Sequence, residues 1–128
     1  MTREELKERL ITFAVLVNES CYAHKSNVRV RHIVLQVFRS STSSALNFGE
    51  ALAAESRKDF IHKNKIVLKE LNENLVGLTI IQRILDDNSR SINKAIRENK
   101  ELIAIFTSSI QTATNNQMQA RTGGKETK

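Results

Sequence analysis

The chain has 128 residues, the usual size of one domain, and 40% of them are hydrophobic, which is enough for a sizeable core. It contains no proline, four glycines and one cysteine, a composition that disfavours β-hairpins and excludes an internal disulfide. The net charge is +6, and such an excess of positive charge favours nucleic acid or an acidic protein as the partner.

The sequence also indicates where the protein resides. No apolar run approaches the ~20 residues of a membrane span, and residues 1–5 carry both charge signs, unlike a secretory signal. The single cysteine, Cys21, fits a reducing compartment and is typical of a small buried side chain. We therefore expect a soluble, cytoplasmic protein that makes no membrane contact.

The first predicted helix runs from about Glu4 to about His24, with Thr2 as its N-cap and Glu5 in the capping-box position. One apolar stripe contains Leu6, Leu10, Phe13, Val17 and Cys21, and a second contains Ile11, Val15 and Tyr22. A helix that is apolar on two faces is either deeply buried or shared between the core and a subunit contact.

The second predicted helix runs from near Val28 to about Ala54 and contains a run of small residues. Its inner face follows a spacing of three or four residues: Ile33, Val37, Ser41, Ser44, Phe48 and Leu52. Six small residues are expected to let a neighbouring helix approach closely: Ser40, Ser41, Ser44, Ala45, Gly49 and Ala53.

The third predicted helix runs from Arg57 to about Leu85, with Ser56 as its N-cap and Asp59 three residues later. Its inner face is predicted to contain Phe60, Asn64, Val67, Leu71, Leu75, Leu78 and Leu85. Gly77 lies in the middle of this helix, where it costs roughly 1 kcal/mol relative to alanine, so it predicts a close helix crossing. Residues 86–89 are predicted to form the next turn.

The fourth predicted helix spans about Ser91 to Ala113, with Ile92, Ile96, Ile103, Phe106 and Ile110 on one face. Residues 114–128 lack apolar periodicity and are predicted to be a flexible C-terminal tail. Short connections between four amphipathic helices favour an all-α fold, an antiparallel up-down-up-down four-helix bundle formed by residues 1–113.

The positive charge is concentrated in residues 26–69, which carry eight bases and three acids. The bases are the predicted phosphate contacts: Arg29, Arg31, Arg39, Arg57, Lys58, Lys63, Lys65 and Lys69. No aromatic residues alternate with them, so binding through this face would be electrostatic and salt-sensitive rather than based on base stacking. The alternative interpretation is an ordinary solvated helix face.

The sequence contains no recognisable catalytic or metal-binding pattern. The three histidines do not share a metal-ligand spacing, and no glycine-rich phosphate loop or nucleophile elbow is present. We therefore expect no cofactor, no metal and no enzymatic activity. Glu50, near Asn47, is expected to bond to a neighbouring helix or subunit rather than to act as a general acid.

Two segments resemble the bacterial four helix bundle protein family, first described from intervening sequences of large-subunit ribosomal RNA genes. They are Ser43-Ser44-Ala45-Leu46-Asn47-Phe48-Gly49-Glu50-Ala51 and Ser56-Arg57-Lys58-Asp59-Phe60-Ile61. The family pattern reads Ser-Ile-Pro-Ala-Asn-Ile-Ala-Glu-Gly, followed by a Ser-Lys-Lys-Glu-Phe-like helix start. Asn47 and Glu50 match its polar pair, and Ser56 and Phe60 match the helix start. Ala45 replaces its proline, Ala51 replaces its second glycine, and its usual tryptophan-containing opening is missing.

More distantly, the chain is similar to the accessory variability determinant of diversity-generating retroelements, a basic helical protein that binds reverse transcriptase and RNA. The resemblance implies a ring-like homo-oligomer, a pentamer, with a role in binding nucleic acid or a ribonucleoprotein. The leading hypothesis is a non-enzymatic bundle that self-associates through the second stripe of helix one and binds RNA. The alternatives are a reverse-transcriptase accessory protein and, last, an enzyme that uses Glu50 and a histidine.

Overall fold

The computed structural model describes residues 1–86 and 90–126, with side chains up to residue 120. It contains α1 (Arg3–Cys21), a short 3-10 helix (Tyr22–His24), α2 (Arg31–Leu52), α3 (Arg57–Leu85) and α4 (Arg90–Glu126). Each α-helix packs on the next in the chain, and α4 packs on α1, so α1 lies diagonally opposite α3. This confirms the predicted all-α, up-down-up-down four-helix bundle.

The predicted helix starts rest on side-chain caps that the structure confirms. Thr2 Oγ1 accepts a hydrogen bond from the Glu5 backbone N–H at 3.0 Å, and Glu5 Oε2 accepts one from the Thr2 N–H at 2.9 Å. Ser56 Oγ accepts a hydrogen bond from the Asp59 N–H at 3.1 Å. These bonds satisfy backbone donors that have no partner within the first turn of a helix.

Helix four extends beyond its predicted end at residue 113, because α4 continues to Glu126. Residues 114–120 contain no proline or glycine, and Gln117, Met118 and Ala120 favour helix, so the helix continues without an apolar stripe. The predicted end of helix four at about Ala113 is therefore wrong. Residues 127–128 of the predicted C-terminal tail, and residues 87–89 of the predicted turn, lie outside the described part of the chain.

Two smaller boundaries also differ from the prediction. Helix two begins at Arg31 rather than Val28, because the N–H groups of Val30 and Arg31 bond to the Asn27 carbonyl in a turn. The regular α-helix of helix one ends at Cys21 and tightens into the 3-10 helix.

The core is aliphatic with three phenylalanines at its centre and is formed by all four helices. Phe48 of α2 and Phe106 of α4 meet edge to face, with ring centroids 5.3 Å apart. The predicted inner stripe of α1, from Leu6 to Cys21, is buried, and the second stripe is exposed: Ile11, Val15 and Tyr22. Burial of Cys21 in this core is also confirmed.

Helices α2 and α3 approach each other closely where Gly77 faces Val37. A Cβ atom on Gly77 would lie 2.5 Å from Val37 Cγ1, so the position admits no side chain without movement. The predicted close crossing at Gly77 is therefore confirmed. Of the six small residues predicted to line this approach, Ser40, Ser41 and Ser44 are buried, whereas Ala53, which follows the end of α2, is exposed. Gly49 was expected to permit a close approach, but a Cβ there meets nothing within 4 Å, so that expectation is wrong.

Beside this crossing, a chain of buried amides links three helices. Ser40 Oγ of α2 donates to Asn74 Oδ1 of α3 at 2.7 Å. Asn74 Nδ2 donates to Asn99 Oδ1 of α4 at 2.9 Å, and Asn99 Nδ2 donates to the Leu71 carbonyl at 2.9 Å. Since a buried polar group without a partner is costly, these bonds favour one relative placement of α2, α3 and α4.

Gly77→Ala should lower the free energy of unfolding, because overpacking costs ~1–3 kcal/mol while helix propensity returns at most ~1 kcal/mol. Gly49→Ala is the matched control and should raise it by about 0.5–1 kcal/mol, since its Cβ has open space. Urea unfolding followed by circular dichroism measures both. Equal effects of the two substitutions would contradict the close α2–α3 contact.

Asn99→Leu should lower the free energy of unfolding by about 1–3 kcal/mol, because the buried amide of Asn74 loses its acceptor. Asn72→Ala, which alters an exposed asparagine of the same helix as Asn74, should change it by no more than about 0.5 kcal/mol. Unfolding midpoints in urea compare the two, and an Asn99→Leu variant as stable as the wild type would show that the amide chain contributes little.

Candidate nucleic-acid interface

The eight cations predicted to contact phosphate do not form one surface. Two of them bridge α2 to α3 through carboxylates. Arg39 Nη2 lies 2.9 Å from Glu73 Oε2, and Nη1 lies 3.5 Å from Glu70 Oε2. Lys63 Nζ lies 2.6 Å from Glu50 Oε2. Arg39 and Lys63 are therefore held in ion pairs within the bundle and are poorly placed to bind phosphate.

Three other predicted cations form a basic ridge on α3: Lys58, Lys65 and Lys69. With His62 they follow a spacing of four, three and four residues, which places them on one exposed helix face. They make no ion pair with the residues that the structure describes. Arg57 lies one residue before this ridge, and therefore about 100° around the helix from it.

The remaining two predicted cations, Arg29 and Arg31, lie at the other end of the bundle. Because α2 runs antiparallel to α3 and Ile33 packs beside Gly77, Arg31 stands near the C-terminal end of α3. Measured along the axis of α3, the level of Arg31 is about 35 Å from the level of Lys58. The eight predicted residues therefore do not act as one surface. Arg39 and Lys63 are ion-paired, the other predicted bases of α3 are exposed toward one end of the bundle, and Arg29 and Arg31 lie at the other end.

Sequence reasoning missed a fourth group, which lies on the outer face of α4. Arg90, Lys94, Arg97 and Lys100 follow a spacing of four, three and three residues, and all four are exposed. None forms an ion pair within the part of the chain that the structure describes. We call these four residues the α4 strip; it spans about 15 Å along the helix.

The acids of the same segment, Glu98 and Glu101, neighbour the α4 strip on the helix but are bound by Arg9 of α1. Arg9 Nη2 lies 2.5 Å from Glu98 Oε1 and 2.6 Å from Glu101 Oε2. The hydrogen bonds that the Arg9 guanidinium donates to Glu98 raise the pKa of Arg9. Since residues 70–113 have a net charge of −1, their total charge gave no sign of this group of exposed bases. The spacing of the bases on a helix was the signal that would have revealed it.

The four motif residues of the sequence analysis surround the α2–α3 connection. Asn47 Nδ2 donates to the Ser43 carbonyl at 2.8 Å, and Ser56 caps α3. Glu50 bonds to Lys63 of the neighbouring helix, which confirms the expected structural bond. Phe60 is half-buried, with the Arg3 guanidinium 4.3 Å from its ring centroid. The motif residues thus help to fix the connection between α2 and α3.

An open cavity of about 350 Å³ lies beside this connection, between the starts of α1 and α3 and the C-terminal part of α4. Arg3, Arg57, Glu55 and Asn116 contribute polar groups to its wall. Neither this cavity nor the two others found in the described residues is lined by Glu50 or a histidine. The side-chain arrangement that the enzyme hypothesis requires is therefore not found in these cavities.

Among the described residues, no three or more His, Cys, Asp and Glu side chains lie together in a way that could hold a metal ion. None of the described helices is both long enough and apolar enough to cross a membrane.

The fold and its exposed bases define a small helical bundle with basic outer faces. No protein-family model and no curated protein matches the sequence. A crystal structure of a protein of unknown function from the S23 ribosomal protein family of Bacteroides thetaiotaomicron is similar to it. The two chains share 28% identity with a TM-score of 0.74, over 82% of this chain and 97% of the other.

Glu70→Gln should stabilise the protein at neutral pH. Burial raises the pKa of the Glu70 carboxyl, and the opposing attraction of Arg39 is smaller. A raised folded-state pKa means that the protonated form stabilises the fold at low pH and that this stability is lost as pH rises through that pKa. The increase in the free energy of unfolding caused by Glu70→Gln should therefore be present at about pH 7. It should disappear below about pH 4, the range of ordinary carboxyl pKa values.

Urea unfolding at several pH values measures this dependence. Glu55→Gln is the control, because Glu55 is exposed and makes no ion pair within the described residues. A Glu70→Gln variant that loses stability at neutral pH would show that the Arg39 ion pair outweighs the cost of burial.

Proposed function

We propose that this protein is a non-enzymatic, self-associating four-helix bundle protein that binds RNA, alone or within a ribonucleoprotein, through its basic outer faces. One observation carries the proposal: the four bases of the α4 strip are exposed on one helix face and have no ion-pair partner among the described residues. Carboxylates neutralise Arg9, Arg39 and Lys63 elsewhere. The bases of the α4 strip therefore stay open to an external anion.

Phosphate, rather than the bases of the nucleic acid, is the group that this strip suits. All the aromatic residues of the described chain are buried or half-buried except Tyr22, which lies on the 3-10 helix. Stacking on α4 is therefore not available, and each lysine or arginine would replace counterions on the RNA backbone. Recognition of this kind depends on shape and salt, and an A-form duplex presents its phosphates as a regular array.

We also propose that the protein is a member of the four helix bundle protein family. The protein in the similar crystal structure belongs to the S23 ribosomal protein family, and the match covers 97% of that protein's chain. The motif residues Asn47, Glu50, Ser56 and Phe60 all lie at the α2–α3 connection, which is consistent with a shared structural role. From that family we propose a cytoplasmic ring, a homopentamer, as the assembled form.

The α4 strip can be tested with a fluorescently labelled RNA duplex of about 20 base pairs, a length chosen to exceed the footprint of a double-stranded RNA module. Replacing Arg90, Lys94, Arg97 and Lys100 together by Gln should weaken binding at least tenfold at roughly 50 mM salt. It should also reduce the slope of log affinity against log salt by about 3, since each phosphate contact contributes nearly one. Fluorescence anisotropy between roughly 50 and 200 mM salt measures both.

Two matched variants locate the interface. Arg39→Gln with Lys63→Gln removes two cations that are already paired and should leave the salt slope unchanged. Replacing the α3 basic ridge, Lys58, Lys65 and Lys69, by Gln tests the surface that the sequence predicted. If this variant loses RNA affinity and the α4 variant does not, the interface lies on α3. If no variant changes the affinity or its salt slope, the proposal is wrong.

A further inference from the structure

The exposed apolar residues of α1 lie between two acids. Glu8, Ile11, Val15 and Glu19 follow a spacing of three, four and four residues, so they share one helix face. Ile11 is 41% exposed and Val15 is 51% exposed. Glu8 and Glu19 form no ion pair with described residues. We call these four residues the α1 contact face.

The exposed apolar residues of α3 lie between two bases. Lys69, Val76, Ile80 and Arg83 follow a spacing of seven, four and three residues and also share one helix face. Val76 is 60% exposed and Ile80 is 38% exposed. Lys69 and Arg83 likewise form no ion pair within the described chain. We call these four residues the α3 contact face.

The two faces have the same order of groups at matching heights along the bundle. Arg9 of α1 and Asn74 of α3 both contact the turn of α4 that contains Glu98 and Asn99, so they stand at one level. Counting from that level, Ile11 and Val76 are each two residues further on, and Val15 and Ile80 are each six residues further on.

The flanking charges follow the same register. Glu19 is ten residues beyond Arg9, and Arg83 is nine residues beyond Asn74, so this acid and this base stand within about 1.5 Å of one height. Lys69 stands about one turn below Glu8, a gap that these two long side chains can span. Apolar residues therefore match apolar residues, and acids match bases.

Within one molecule the two faces cannot meet, because α1 and α3 are diagonal in the bundle and their exposed faces point away from each other. Two copies related by a two-fold axis through either face would place acid against acid or base against base, which is unfavourable. We propose that the α1 contact face of one copy packs against the α3 contact face of the next, head to tail. This proposal deepens the self-association in the proposed function and does not depend on RNA binding.

A head-to-tail contact of this kind has a consequence for the cations. It places Lys69 and Arg83 against the partner's acids and leaves Arg90, Arg97 and Lys100 of the α4 strip uncovered, whereas Lys94, which lines a groove with Val15 and Glu19, lies at the edge of the contact. Neighbouring copies would then present their α4 strips on the same side of the assembly. If the rotation between copies closes, the assembly is a ring.

Charge reversal tests the contact, with mass measured by light scattering after size exclusion. The wild type at roughly 100 µM should be larger than a monomer, as expected for a specific contact of micromolar strength. Glu8→Lys with Glu19→Lys should produce monomers, and so should Lys69→Glu with Arg83→Glu. A chain that carries all four substitutions should regain the wild-type mass, because bases on α1 then face acids on α3 at every contact.

Far-ultraviolet circular dichroism verifies that each variant is folded, and the substituted residues are all exposed. A monomeric wild type, reversals that leave the mass unchanged, or a fourfold variant that stays monomeric would each overturn the head-to-tail contact. The α1 variant also separates this proposal from RNA binding. With the α4 strip intact, this variant should still bind the duplex, because its substitutions add positive charge and remove none of the proposed phosphate contacts.

Discussion

The close contact between α2 and α3 at Gly77 determines much of the rest of the structure. With no side chain at that position, the two helices approach until Val37 fills the space. The chain of bonds from Ser40 through Asn74 to Asn99 then fixes the rotation of α3 and α4 about their axes. Apolar burial alone is non-directional, whereas these amides are satisfied in one arrangement only. The rotation they fix decides which charged residues face outward.

That rotation sorts the cations of the protein into two classes. Arg9, Arg39 and Lys63 face neighbouring helices and are bound by carboxylates. The bases of the α4 strip and the α3 basic ridge face solvent. Exposed ion pairs contribute little to stability, so the first class matters mainly because it removes charge from the surface. The functional proposals concern the second class.

The sequence predicted the fold well, because the signals that specify it are local. Apolar spacing identified four helices, Thr2 and Ser56 identified two of their starts, and Gly77 identified a close crossing. The end of helix four was wrong, because α4 continues to Glu126 beyond the last apolar stripe, and apolar spacing was the signal used to place its end. Asn99 was missed because a polar residue in a core breaks the apolar pattern instead of marking it. The α4 strip was missed because a segment's net charge says nothing about which side of a helix carries it.

Lysine reactivity, read residue by residue by mass spectrometry after brief acetylation, tests most directly how the exposed bases are divided between RNA and the neighbouring copy. Lys100 should be protected only when the RNA duplex is added, and Lys94 should also be protected by it. Lys69 should become protected as protein concentration rises, with or without RNA, and Lys63 should be unaffected by either. Unchanged reactivity of Lys94 and Lys100 at saturating RNA, or protection of Lys69 by RNA alone, would contradict this division of the basic surface.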